Sequence, residues 1–167
     1  GKRSQDLAAK ARAEDAFSTQ VVPIEVPVLD EEGKPTGETT TVSADGGIRE
    51  TDLEKLASLK PVAREDGVHT AGSASQISDG AGAVLMMTRE KADELGLKPL
   101  AKIVDTCLVG TDPVLMLTGP IDATKKLLDD NGLTMDDIGV VEINEAFASV
   151  VLAWEKEFSP NMDTVNP

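Results

Sequence analysis

A layered α/β fold is predicted by three features of this sequence. Short β-branched runs alternate with helix-period segments through its second half, as they do in sheets covered by helices. Capping and turn residues mark where several of those helices begin and end. One polar amide, Asn144, stands where an apolar strand-like run gives way to an apolar helix, a position at which α/β proteins place their chemistry.

The elements follow in chain order. Between Ser4 and Ala16, the residues Leu7, Ala8, Ala11, Ala13 and Ala16 suit a helix that has no strong apolar face. Val21 to Leu29 is strand-like, but Pro23 and Pro27 remove two ladder donors, which favours an edge strand or an extended arm. The turn-rich stretch from Asp30 to Gly37 then predicts a hairpin, with Glu38 to Val42 as the returning partner. Asp45-Gly-Gly47 breaks the chain, and a short helix is expected from Thr51 to Leu59 with Thr51 as its cap.

The second half is more regular. Ala83 to Met87 reads as a buried strand, and Thr88 caps a charged helix that runs through Leu95 and stops at Gly96. Lys102 to Val109 is the next expected strand. Pro120 suits the first position of a helix opened by Gly119, with Leu127 and Leu128 on its face and Asn131-Gly132 closing it. Thr134 to Asp137 forms a short turn that delivers the chain to Val140.

Val140, Val141 and Ile143 make a β-branched run too short for an independent helix. Beyond Asn144 the period changes. Phe147, Val150, Val151, Trp154 and Phe158 recur at three- and four-residue steps, which is one face of a helix. Asn144 therefore has two readings. It is the N-cap of that helix, its side-chain oxygen accepting a free backbone N–H, or it is a functional amide at a strand end.

Composition excludes several function classes. The 167 residues carry 16 basic and 30 acidic side chains, a formal charge of −14 that opposes a phosphate backbone and argues against nucleic acid as a partner. Aromatic residues make up only 2%, too few for base-stacking platforms. No apolar stretch reaches the length of a membrane span, and the start, Gly-Lys-Arg-Ser-Gln-Asp, lacks a signal-peptide core, so no membrane partner and a cytoplasmic location are expected.

The single cysteine, Cys107, excludes an internal disulfide and a cysteine-rich metal site, and no metal is expected. Its alternating apolar surroundings, Ala101 to Gly110, favour a buried structural thiol. The single histidine, His69, lies in a small-residue loop and reads as an exposed imidazole; a Cys–His nucleophilic pair is the sharper alternative for the two. The loop from Thr70 to Gly80 is dense in small and hydroxyl side chains, so a slender ligand can lie against its backbone. The segment from Gly110 to Pro120 sets Met116 and Leu117 between turn signals, where they line a pocket or cover the core.

Three of these motifs, Val-Glu-Ile-Asn-Glu-Ala-Phe-Ala, His-Thr-Ala-Gly-Ser-Ala-Ser-Gln-Ile-Ser-Asp-Gly and Leu-Thr-Gly-Pro, together resemble the thiolases, the acyl-CoA:acetyl-CoA C-acyltransferases. Order and spacing agree, and the resemblance spans essentially the whole chain. It implies a thiolase-like α/β layered fold, with a loop domain at residues 1–70, the last strand and helix of the N-terminal half at 71–98, and the first part of the C-terminal half at 99–167.

The resemblance also implies a chemistry. A cysteine thiolate attacks the ketone carbon of a 3-ketoacyl-CoA, acetyl-CoA leaves, and a second CoA resolves the acyl-enzyme; the reverse direction condenses two acyl units. By similarity Asn144 holds a water that, with a downstream histidine, forms an oxyanion hole. Ala71, Gly72 and Ser75 follow the pantetheine arm of CoA, Met116, Ala146 and Phe147 lie near the acyl and thioester pocket, and Arg49 lies near the nucleotide end. Acyl-CoA and CoA are then the small-molecule partners, CoA is a substrate rather than a permanently bound cofactor, and the assembly is a homodimer or homotetramer.

Departures from the thiolase pattern accompany the matches. The family's nucleophilic cysteine precedes the region matched here, and its Gly-His-Pro histidine and second cysteine follow the Asn-Glu-Ala-Phe motif at a distance that passes Pro167. Cys107 and His69 match none of these three. The 167 residues alone are thus expected to be inactive, and a non-catalytic CoA- or partner-binding module on the same scaffold is the alternative. Gln76 and the Met116-Leu117 loop imply a pocket for bulky or steroid-derived acyl chains.

Overall fold

A computed structural model describes residues 1–167, which form two compact units, Gly1–Gly72 and Ser73–Pro167. No helix in either is long and apolar enough to cross a membrane.

The first unit opens with α1 (Lys2–Ala13), whose first turn carries a Lys2–Asp6 ion pair at 2.5 Å. The helix begins and ends earlier than its alanine pattern suggested, and the chain continues in turns to Gln20. Then β1 (Ile24–Leu29) and β2 (Pro35–Val42) pair antiparallel, from Ile24 opposite Val42 to Leu29 opposite Pro35, with an irregularity between Pro27 and Leu29. The Asp30 carboxylate builds the connecting turn by accepting the Glu32 and Lys34 N–H groups at 2.9 and 2.8 Å. Gly33, at φ 77°, supplies the left-handed residue.

Helix α2 (Leu53–Ala57) is shorter than the expected Thr51–Leu59, and its cap is Asp52. The Asp52 carboxylate accepts the Lys55 N–H at 2.6 Å, displacing Thr51 from the role. Both side chains suit an N-cap; the ionised oxygen is the stronger acceptor and sits one residue nearer the first turn.

In the second unit the local punctuation is kept. Thr88 Oγ1 accepts the Lys91 N–H ahead of α3 (Arg89–Glu94), and beyond it Gly96 at φ 65° lets the Leu97 N–H return to the Ala92 carbonyl. Helix α4 (Gly119–Asn131) carries Pro120 in its first turn and ends at Gly132, φ 64°, with the same return from Leu133 to Leu128. Thr134 and Asp137 cap each other's backbone around a 3-10 turn, Met135–Asp137.

Two expected strands are not paired. Residues 83–87 and 102–109 have no ladder partner within the chain, and Val84, Leu85 and Leu108 are 81%, 78% and 97% exposed. A strand is completed by a neighbour in the sheet, and no segment of these 167 residues pairs with either one as a strand. The second of them does rest on α4. Asp105 accepts from the Asn131 side chain at 2.8 Å, and Cys107, two residues on, puts Sγ 3.7 Å from the Ala123 carbonyl, the alternation of an extended chain. Cys107 is half-buried rather than buried, with its Sγ turned onto α4.

The core of this unit lies on α5 (Ala148–Phe158). Val151, Trp154 and Val165 are buried, and Ile121, Met135, Val141, Ile143, Phe158 and Met162 pack around them. The Trp154 indole is 1% exposed, lies 5.3 Å from the Phe158 ring and donates from Nε1 to Thr124 Oγ1 at 2.9 Å. Thr124 in turn donates to the Pro120 carbonyl at 2.7 Å, so the buried N–H is satisfied through α4 itself.

Candidate functional site

Asn144 does not cap α5. The helix begins at Ala148, and its N-cap position is Phe147, extended at φ −140° and ψ 149°, with no side-chain cap. A tertiary contact moves the helix start downstream. Ala74 forms an antiparallel bridge with Phe147, the Ser75 N–H donates to the Ala146 carbonyl at 3.0 Å, and the Ala148 N–H donates to the Ser73 carbonyl at 2.8 Å. The backbone of 73–75 thus keeps Phe147 extended and accepts a first-turn donor that a side-chain cap leaves for others.

The stretch carrying Asn144 is held on its other side as well. Val141 bridges Val165 in parallel, with the Val141 N–H on the Thr164 carbonyl and the Asn166 N–H on the Val141 carbonyl, both at 2.9 Å. The Asn166 side chain continues that pairing. Its Oδ1 accepts the Ile143 N–H at 2.7 Å, and its Nδ2 donates to the Ile143 carbonyl at 2.9 Å. Between Ile143 and Ala146, both fixed, Asn144 is exposed. An amide in that setting offers a donor and an acceptor at a defined position.

The structure therefore sets Ser75, an expected site residue, against Ala146 in the second unit, with Phe147 the next residue and Asn144 two residues before Ala146 along the chain. Met116, also in this unit, is tied to its own loop. Its N–H donates to the Asp112 carbonyl at 2.8 Å, and Met116 and Leu117 both adopt left-handed backbone, φ 48° and 54°. Consecutive non-glycine residues in this region are strained, and such strain concentrates at ligand-handling loops.

Asp112 holds the loop in that shape, accepting the Val114 and Leu115 N–H groups on Oδ1 at 2.8 Å each. These bonds, Leu115 first, keep its carboxyl below the ordinary carboxylate range. A depressed folded-state value stabilises the loop above the ordinary range, and the benefit is lost as pH falls through the folded value. Asp112→Ala is expected to speed amide exchange at Val114 and Leu115 at neutral pH. The difference from the unsubstituted chain should shrink on acidification below the carboxylate range, and a pH-independent difference would refute this account.

The remaining expected residues belong to the first unit. Ala71 is exposed. Gly72 packs against α2: a Cβ there would lie 2.5 Å from Leu56 Cδ2 and 2.9 Å from Leu59 Cδ1, so its lack of a side chain has a packing cause within the unit. The Arg49 side chain is exposed, and its N–H is fixed by Gln5 Oε1 of α1 at 2.7 Å. His69 is half-buried rather than exposed, in a loop whose two arms are joined where the Val62 N–H donates to the His69 carbonyl at 2.9 Å.

Two residues of the site went unread in the sequence. Asp112 had a signal, an Asp-Pro pair followed by apolar residues, which predicts a side chain turned onto its own backbone. Asn166 had only the tolerance of asparagine for left-handed backbone, which it adopts at φ 44°.

A family model described as the thiolase N-terminal domain matches residues 2–90, and one described as the thiolase C-terminal domain matches residues 97–167. The 3-ketoacyl-CoA thiolase of Bacillus subtilis is 43% identical over 98% of this chain and 43% of its own length. The steroid 3-ketoacyl-CoA thiolase FadA6 of Mycobacterium tuberculosis is 53% identical over 74% of this chain and 30% of its own. Among solved structures, the acetyl-CoA acetyltransferase of Bacillus anthracis superposes with a TM-score of 0.90 at 41% identity, over 98% of this chain and 40% of that one. The chain spans about two fifths of the length of the curated relatives that it matches from end to end.

Proposed function

The chain belongs to the thiolase family, and on that premise we propose that the full-length protein cleaves 3-ketoacyl-CoA thiolytically or runs the reverse condensation of acetyl-CoA. The observation that carries this reading is the exposed Asn144 amide, set between two fixed backbone positions with Ser75, Ala146 and Phe147 beside it. Asn144 orients a water that donates to the oxygen on which negative charge develops. Donors already in place need no reorganisation when the charge appears. Ala71, Gly72 and Ser75 serve the pantetheine arm of CoA, Met116, Ala146 and Phe147 the acyl and thioester pocket, and Arg49 the nucleotide end.

The steroid thiolase among the relatives and the strained Met116-Leu117 loop support a bulky or ring-bearing acyl chain. The reacting thiolate, in this reading, is supplied by a part of the protein other than these 167 residues. Cys107 is turned onto the Ala123 carbonyl of α4 and has a structural task. Acetyl-CoA release from short linear and ring-bearing 3-ketoacyl-CoAs tests both points. The full-length protein should turn over, faster with the ring-bearing substrate, and keep its rate after Cys107→Ala, whereas the 167-residue chain alone should be inactive. Turnover by the 167-residue chain that Cys107→Ala abolishes would overturn the assignment. CoA binding without turnover by the full-length protein would point instead to a non-catalytic module.

A further inference from the structure

A parallel ladder that pairs Val141 with Val165 calls next for a peptide unit opposite Ile143. At Asn166 the backbone turns into the left-handed region at φ 44°, and the Ile143 N–H goes to the Asn166 side chain rather than to its carbonyl. The Asn166 side-chain amide takes the place of that peptide unit, engaging both the N–H and the carbonyl of Ile143. A carboxamide is the side-chain group that presents a donor and an acceptor in one plane as a peptide does. Ile143 is bonded directly to Asn144, so the two hydrogen bonds fix the backbone from which the Asn144 amide projects.

We infer that Asn166 is a positioning residue of the site, which through Ile143 sets where the Asn144 amide stands. This rests on the thiolytic reading of Asn144 given above. An oriented donor loses much of its effect when displaced by about 1 Å, with costs of up to about a hundredfold in rate. Side-chain loss can be separated from backbone strain, because Asn166→Gly keeps the left-handed conformation and removes only the amide.

In the full-length protein, Asn166→Gly is expected to lower kcat for thiolysis by about tenfold to a hundredfold with KM for CoA unchanged. The Ile143 amide should exchange faster while the amides of α5 keep their protection. In an Asn144→Ala background the same substitution should have no further effect on kcat, since the two act through one group. Unchanged kcat in an active protein, or an effect that multiplies with that of Asn144→Ala, overturns the inference alone. An inactive unsubstituted full-length protein overturns the thiolytic reading and this inference with it.

Discussion

Asn144→Ala in the full-length protein is expected to lower kcat for thiolysis by about a hundredfold while KM for CoA moves little, the signature of an interaction made chiefly in the transition state. The residue is exposed and does not cap α5, so truncating it removes no buried contact and no helix cap. The melting temperature should therefore stay within a degree or two, on the order of a surface substitution. Asn144→Asp sharpens the test. It preserves shape but sets a negative charge beside an oxygen on which negative charge grows, and a loss at least as large as that of alanine is expected. A parallel fall in stability and rate would mean that Asn144 is structural.

The largest effect on stability is expected at Trp154. Its side chain is 1% exposed in a unit with few buried residues, and it joins α5 to α4 through Thr124 as well as filling the centre of the cluster. Trp154→Ala removes that packing and leaves a cavity, for which about 3 to 5 kcal/mol is typical. Against a domain stability of roughly 5 to 15 kcal/mol this is a large share. Thr124→Val isolates the polar part. It keeps the volume but deprives the buried indole N–H of its acceptor, at a cost of about 1 to 3 kcal/mol. Urea unfolding should give the order Trp154→Ala, then Thr124→Val, then the unsubstituted protein, from least to most stable, and equal midpoints would refute the assignment of this core.

What was legible in the sequence was what neighbours in the chain decide. Thr88, Gly96, Pro120 and Gly132 act on backbone groups within a few residues, so the bounds of α3 and α4 followed from them. The hairpin was similarly local. The apolar face of α5 was readable because the helical period alone defines it: Val150, Val151 and Trp154 are buried, as the spacing required.

What was not legible depends on distant segments. The N-cap position of α5 shifted from Asn144 to Phe147 because Ser73 and Ser75 hold the intervening chain extended, a pairing no local pattern announces. Residues 83–87 and 102–109 have the composition of strands, but composition does not provide a neighbour to pair with. At α2 the choice of Asp52 over Thr51 turned on one residue. The resemblance implied separate roles for Ser75, for Ala146 and Phe147, and for Asn144, and the backbone hydrogen bonds show how Ser75 comes to lie beside Ala146.

The bond from Ser75 to Ala146 has a kinetic consequence. It joins residues about seventy apart in the chain, while the caps of α3 and α4 act within one turn. Closing a loop of that length carries an entropic cost that must be met before its contacts repay it, so such contacts arrive late in folding. The helices can form early. The surroundings of Asn144 mature only when the two ends of that loop meet, and a chain stalled before that step would be rich in helix and without a site.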